Sequence, residues 1–262
     1  MRIARWFLAA ASGCLLSGVL MAAQDEAQPD GKRSGLDYVS PETRAMQEDD
    51  TSNPGMLWVV GGETLWNKAE GEKGQSCASC HGDAAESMQG VAARYPVFDP
   101  ATKRPIDLQG RVNQCRESKQ EVAPFAYESE DLLALTAYVA KQSREMPVAP
   151  DADARLAPYR ENGRRLYEQR IGQLDLACNS CHDGLAGQRL AGALIPQAHP
   201  TAYPLYRLEW QTLGSLQRRL RNCMIGVRAE PYAYGSLELI ELELYLMSRA
   251  EGLHIETPGV RP

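Results

Sequence analysis

Apolar positions along the chain fall into three patterns, and each predicts a different element. Residues 1–23 place Arg2 and Arg5 ahead of an apolar run without an acidic residue. Met21-Ala22-Ala23 then precede the polar Gln24-Asp25-Glu26, an order that reads as a cleaved secretory signal. The second pattern is apolar residues recurring at three and four spacing, in Leu132-Leu133-Ala134-Leu135-Thr136-Ala137-Tyr138-Val139 and in Leu239-Ile240-Glu241-Leu242-Glu243-Leu244-Tyr245-Leu246. Ser129 and Ser236 stand before these runs as N-cap candidates. Glu130, Asp131 and Glu238 fill the first turns, where the helix dipole favours acids, so each run predicts an amphipathic helix. The third pattern is a shorter helical candidate upstream of each, at 63–69 and 155–169.

Between the members of each helix pair lies Cys-x-x-Cys-His, first as Cys77-Ala78-Ser79-Cys80-His81 and again as Cys178-Asn179-Ser180-Cys181-His182. That pentapeptide anchors a c-type haem: the two thiols, here Cys77 with Cys80 and Cys178 with Cys181, bond the porphyrin, and the adjoining His ligates its iron. A redox CxxC or half of a zinc site requires no His at that place in both copies. The two units repeat the order helix, haem loop, irregular segment, helix. Each is so small that the haem is expected to be its main core element. The fold class is therefore mainly α, two tandem cytochrome c-like domains with one covalently bound haem c each and an N-terminal extension. The boundaries are a signal peptide at 1–23, an arm at 24–53, a first domain at 54–144, a linker at 145–154 and a second, catalytic domain at 155–262. The arm is polar, acidic and poor in aromatics, so it is either disordered or ordered on the folded body. Pro147 and Pro150 mark the linker.

Removing the signal takes away two of the 28 basic residues and none of the 34 acidic ones. The resulting acidic chain excludes nucleic acid as an expected partner. No later stretch approaches the roughly 18 apolar residues of a membrane span, so a soluble periplasmic protein is expected. Cys14 raises lipidation as an alternative, but little hydrophobic run precedes it.

Two further cysteines recur in register, in Arg111-Val112-Asn113-Gln114-Cys115 and Arg219-Leu220-Arg221-Asn222-Cys223. A thiolate is a good ligand for ferric iron, which makes Cys115 and Cys223 candidates for the second axial ligand beside His81 and His182. The competing reading is a disulfide between them, the usual fate of a spare pair in an oxidising compartment. Met, the ordinary ligand of electron-transfer cytochromes, has no matching position in the two units. His199 and His254 have no repeat counterpart and are read as surface or packing residues.

The stretch 218–229, then Gly235-Ser236-Leu237-Glu238-Leu239 and Pro258-Gly259-Val260-Arg261, resembles the SoxA family, dihaem cytochrome subunits of the sulfur-oxidising Sox system. Gly35-Leu36-Asp37-Tyr38-Val39-Ser40-Pro41-Glu42-Thr43-Arg44, Asn53-Pro54-Gly55 and Gly62-Glu63-Thr64-Leu65-Trp66 are similar to the same family, so the resemblance covers nearly the whole mature chain. It implies a heterodimer with a SoxX-like monohaem cytochrome c. It also implies an L-cysteine S-thiosulfotransferase activity that attaches thiosulfate to a cysteine of the SoxYZ carrier and passes two electrons through SoxX to a c-type cytochrome. By the same likeness His81 and Cys115 ligate the first iron, His182 and Cys223 the second, and Cys223 lies at the active site and can carry an extra sulfur. Some relatives lack the first haem motif, but here Cys77, Cys80 and His81 are all present.

Oxidative coupling of two electron-rich sulfurs needs an electron acceptor and a cation. Arg219, one turn before Cys223 if the segment is helical, is the candidate to grip an oxyanion. Arg218, Arg221 and Arg228 read as solvated or paired surface charges. Arg111 stands at the same place before Cys115, so the arginine could instead have a structural task common to both units, such as pairing with haem propionates. Three alternatives remain: a thiosulfate dehydrogenase forming tetrathionate, a plain dihaem electron carrier, and a dihaem peroxidase, whose open iron a cysteine ligand would block.

Overall fold

Two close-packed helix pairs, one per repeat, hold the molecule together. The computed structural model describes residues 31–262, so the signal and the first part of the arm lie outside the described residues. The first repeat contains α1 (Pro41–Glu48), α2 (Met56–Asn67), α3 (Cys77–His81), α4 (Ala84–Ser87) and α5 (Val91–Arg94). There follow strands β1 (Val97–Asp99) and β2 (Arg104–Ile106), then α6 (Leu108–Cys115) and α7 (Glu130–Lys141). The second contains α8 (Ala157–Glu168), α9 (Cys178–His182), β3 (Arg189–Leu190), β4 (Ala193–Leu194), β5 (Leu205–Arg207), β6 (Thr212–Gly214), α10 (Leu216–Gly226), α11 (Leu237–Arg249) and β7 (Gly259–Arg261).

The helices predicted from periodicity are α7 and α11, and their serines act as expected. Ser129 Oγ accepts from Leu132 N and Ser236 Oγ from Leu239 N. Each packs on its upstream partner, α2 or α8, at unusually close range. A Cβ on Gly62 would collide with the carbonyl oxygen of Ala134, and one on Gly163 with that of Glu241. Only glycine allows that approach. At the end of each upstream helix an aromatic side chain reaches the residue after the haem-motif histidine: Trp66 Nε1 donates to Gly82 O at 3.0 Å, and Tyr167 Oη to Asp183 Oδ1 at 2.8 Å. The equivalent core clusters, Trp66-Ala84-Leu135-Val139 and Tyr167-Leu239-Leu242-Leu246, have Cys77 and Cys178 packed against their edges.

The irregular segments of the sequence reading contain strands. β1 and β2 form an antiparallel hairpin pairing Val97 with Ile106, β5 and β6 form its counterpart pairing Leu205 with Gly214, and β7 joins β5 in parallel. At three residues each they are too short to show a two-residue hydrophobic period. Each hairpin delivers the chain to a capped helix that ends at or near the recurrent cysteine.

Segment 145–154 is packed against the second repeat. Glu145 N donates to Ile255 O at 2.8 Å and Val148 N to Leu253 O at 2.7 Å, while Val148 is buried beside Met247 and Ile255. The described part of the arm is ordered on the body, the second of the two states expected for it. Asn53 Nδ2 donates to Pro258 O at 2.9 Å, and Gln47 Oε1 accepts from Val260 N at 2.9 Å.

Candidate functional site

Helix α10 brings Arg219 and Cys223 to one face, four residues apart. Its start is fixed by Ser215, whose Oγ accepts from Arg218 N at 3.1 Å. Facing this helix is His182, the last residue of α9, with Nδ1 2.7 Å from the carbonyl oxygen of Pro196. A carbonyl only accepts, so Nδ1 carries the proton and Nε2 is left with its lone pair. His182 hydrogen-bonds the Cys223 thiol. Burial pushes that thiol up, but the His182 bond and the positive charge of Arg219 and Arg207 outweigh it, and the net position is below the ordinary thiol range. The effect is reciprocal. Desolvation works against the Arg219 charge, yet Cys223, Tyr203 and Glu209 hold the guanidinium firmly protonated.

Other arginines of the cluster are engaged elsewhere. Arg218 lies over the Trp210 ring at 4.2 Å; Arg221 lies over Tyr234 at 4.4 Å and also donates to the Tyr232 carbonyl; Arg228 is exposed. That agrees with their reading as surface and packing charges. His199 Nδ1 donates to the Arg33 carbonyl oxygen, 2.7 Å away, and His254 is exposed.

In the first repeat burial raises the Cys77 and Cys115 thiols, with Cys115 adding to the first and Cys80 to the second. His81 stands beside Trp66 with ring centroids 5.7 Å apart. Cys115 also ends a capped helix, α6, whose N-cap Asp107 accepts from Gly110 N at 2.8 Å. Its electrostatics are opposite to those of Cys223. Burial pushes the Cys115 thiol up, and Arg111 and Lys119 do not reverse it. Arg111 is neutralised: its Nη2 lies 3.3 Å from Asp99 Oδ1, Gln114 Nε2 donates to Asp99 Oδ2 at 3.0 Å, and Arg111 and Gln114 are bonded to each other. Asp99 is almost fully buried. Although burial pushes its carboxyl up, hydrogen bonds from Thr102 and Gln114 and the charge of Arg111 take it down to about 2. None of the six described cysteines is in a disulfide, Cys115 and Cys223 included.

Asp99 and Arg207 are the residues the sequence reading missed. Tyr95-Pro96 precedes Cys115 by the same interval that separates Tyr203-Pro204 from Cys223, and counting on from these dipeptides sets Asp99 opposite Arg207. That second repeat signal was available in the sequence.

The donor sets fit haem c. Each repeat has paired thiols one helical turn apart, a histidine directly after them and a further thiol nearby, and the Pro196 carbonyl orients His182 as carbonyls orient metal-ligating imidazoles. A family model of the SoxA/TsdA cytochrome c domain matches residues 61–148 and again 162–255. The chain belongs to the SoxA/TsdA cytochrome c family. Its fold is thus two tandem cytochrome c domains, whose cofactor is haem c. It is 40% identical over 245 residues, 93% of this chain and 86% of the relative, to the L-cysteine S-thiosulfotransferase subunit SoxA of Pseudaminobacter salicylatoxidans. It is 35% identical to the subunit of the same name from Paracoccus pantotrophus, over 87% of this chain and 78% of that one. The crystal structure of SoxXA from P. pantotrophus superposes with a TM-score of 0.85 at 34% identity, covering 88% of this chain and 87% of that one. As a SoxA/TsdA member, the chain keeps both copies of the haem motif.

Proposed function

We propose that this chain is the dihaem catalytic subunit of a periplasmic L-cysteine S-thiosulfotransferase, exported by its signal at 1–23 and paired with a SoxX-like monohaem cytochrome c. Its reaction joins thiosulfate to a cysteine of a SoxYZ carrier, with electrons passing to SoxX and on to a c-type cytochrome. Cys77 and Cys80, with His81 and Cys115, would hold one haem c; Cys178 and Cys181, with His182 and Cys223, would hold the other. When bound, haem c supplies an electron acceptor and a positive metal centre beside the cysteine.

The observation that carries this reading is the surplus of positive charge around Cys223. The carrier thiol and thiosulfate lose two electrons and one proton as a sulfur–sulfur bond forms, S2O3²⁻ + RSH → RS–SSO3⁻ + H⁺ + 2e⁻. Both reactants are rich in electron density, so their approach is opposed unless cations offset it. Arg219 offers a planar fork to a sulfonate oxygen pair. Arg207, whose Nε lies 3.2 Å from Glu209 Oε2, adds further positive charge near the same sulfur, and both arginines favour the thiolate of Cys223. The first repeat lacks this surplus because Asp99 takes up Arg111.

The family model also spans TsdA proteins, and the same cationic site would suit a thiosulfate dehydrogenase that couples two thiosulfates. Turnover of thiosulfate with and without the SoxYZ carrier separates the two. The proposal expects turnover that requires the carrier; tetrathionate formation at the full rate without it would overturn the proposal in favour of the dehydrogenase.

A further inference from the structure

Helices α6 and α10, which bear Cys115 and Cys223, begin at one shared place between the repeats. Asp107 caps α6, and its second oxygen accepts from Gln217 Nε2 of α10 at 3.0 Å. Gln217 is fully buried; its amide also bonds Glu243 of α11, and its Oε1 accepts from Gly235 N at 2.8 Å. One amide of α10 therefore links a carboxyl group from each repeat. Around them lies a cavity of about 80 Å³ lined by Asp107, Gln109, Glu243, Thr201, Tyr95 and Tyr203, with Thr201 Oγ1 and Gln109 Nε2 buried and unpartnered beside it. That volume accommodates ordered water, and the unpartnered hydroxyl and amide are polar groups to hold it.

Asp107 is buried and Glu243 half-buried, and among the described residues neither has an ion pair, so ionising both carboxyl groups here is costly. The groups facing them are Tyr127, which donates to Asp107 at 3.2 Å, Tyr95 and Tyr203 on the cavity wall, and Glu128, whose Oε2 accepts from the Ser215 amide at 3.5 Å. The neighbouring arginines act on other groups of this region, Arg218 on Glu128, Arg111 on Tyr95 and Arg219 on Tyr203, and none of them is among the charges acting on Asp107 or Glu243. We propose that Asp107 and Glu243, tied by Gln217 and bridged by water in the cavity, hold a proton between the repeats, and that this joint fixes α10 and hence Arg219 and Cys223.

The first repeat then acts on the second through structure. Burial raises Asp107 to about 6 and pushes Glu243 well above the carboxylate range. A carboxyl raised by folding stabilises most below its unfolded pKa, and the contribution is lost as pH rises through the folded value. The joint is firm near pH 5 and loosens above about 6.

The joint stands independently of the sulfur chemistry; only its consequence for Arg219 rests on that reading. The test uses the full haem-loaded chain. Infrared spectroscopy is expected to show the C=O stretch of a protonated carboxyl group at pH 5 that weakens as pH passes about 6. That band should be diminished in Glu243→Gln and in Glu243→Thr, the latter copying Thr136 at the matching place in α7. The fall in Tm between pH 5 and pH 8 should likewise be smaller in both variants than in the unsubstituted chain. Wild-type spectra without a protonated carboxyl band at pH 5, or a band and a Tm profile that both variants leave unchanged, would overturn the joint. With the joint intact, a thiosulfate KM whose pH dependence is the same in Glu243→Gln and wild type would overturn the positioning role alone.

Discussion

Segments 95–115 and 203–223 have equal length and the same order of hairpin, capped helix and cysteine, yet one matching position holds Asp99 in the first and Arg207 in the second. In the first, the carboxylate draws Arg111 and Gln114 into a closed network, and the cysteine keeps a raised thiol pKa. In the second, Arg219 has no ion pair among the described residues, Glu209 being paired with Arg207 at 3.2 Å, and the thiol is lowered. The shared scaffold explains why both repeats can hold the same kind of cofactor. On the proposed function, the substituted charge is what would leave only one of them with a place for a dianionic substrate. It also bears on the arginine common to both units: on the proposed function, position four before the cysteine has no single task, because its partner decides whether it is a strut or a free cation.

The largest difference should appear at the cysteines. Cys223→Ala is expected to abolish carrier-dependent turnover while both haems stay covalently attached, since the thioether cysteines are untouched. Cys115→Ala should change the spectrum of the first haem with a much smaller loss of rate. Pyridine haemochrome quantitation on denatured protein, together with turnover, checks both. Equal loss of rate in the two variants would erase the functional distinction between the repeats.

A smaller effect, on stability, sharpens the comparison from the other side. Asp99→Asn leaves Arg111 without its counterion and should cost about 1–3 kcal/mol of unfolding free energy near neutral pH. A carboxyl lowered by folding stabilises above its unfolded pKa, near 4, and loses that contribution as pH falls through about 2. Denaturant titrations of the two proteins should therefore converge as pH is lowered from about 4 to about 2. A gap that stays constant over that range would mean Asp99 acts through packing alone.

The order of elements was legible in the sequence because its signals are local. Ser129 and Ser236 cap the helices they precede, and the CxxCH pentapeptides carry their chemistry in five residues. The hairpins were not legible, since three-residue strands show no period. Nor was the fate of Arg111 and Arg219: Asp99 meets Arg111, and Arg207 and Arg219 both come near Cys223, only after the hairpin turns back onto the helix. The acid pair Asp107 and Glu243 was hidden for the same reason, its members belonging to different repeats. Glu243 in particular sits in an amphipathic pattern where an acid reads as a solvated face, and only the packing of α11 half-buries it beside the other repeat.

The central claim is that Arg219 is a free cation for substrate while Arg111 is a strut. It is tested most directly by steady-state kinetics over a range of thiosulfate at saturating carrier, on Arg219→Gln, Arg207→Gln and Arg111→Gln, each with its haem spectrum recorded. A charge-assisted bond is typically worth about 1.5–3 kcal/mol, so Arg219→Gln should lower kcat/KM roughly tenfold to a hundredfold. Arg207→Gln should lose less, and Arg111→Gln should stay near wild type in rate. Equal defects in Arg219→Gln and Arg111→Gln, accompanied by altered haem spectra in both, would contradict the account and make the arginine a support of the haem pocket in either repeat.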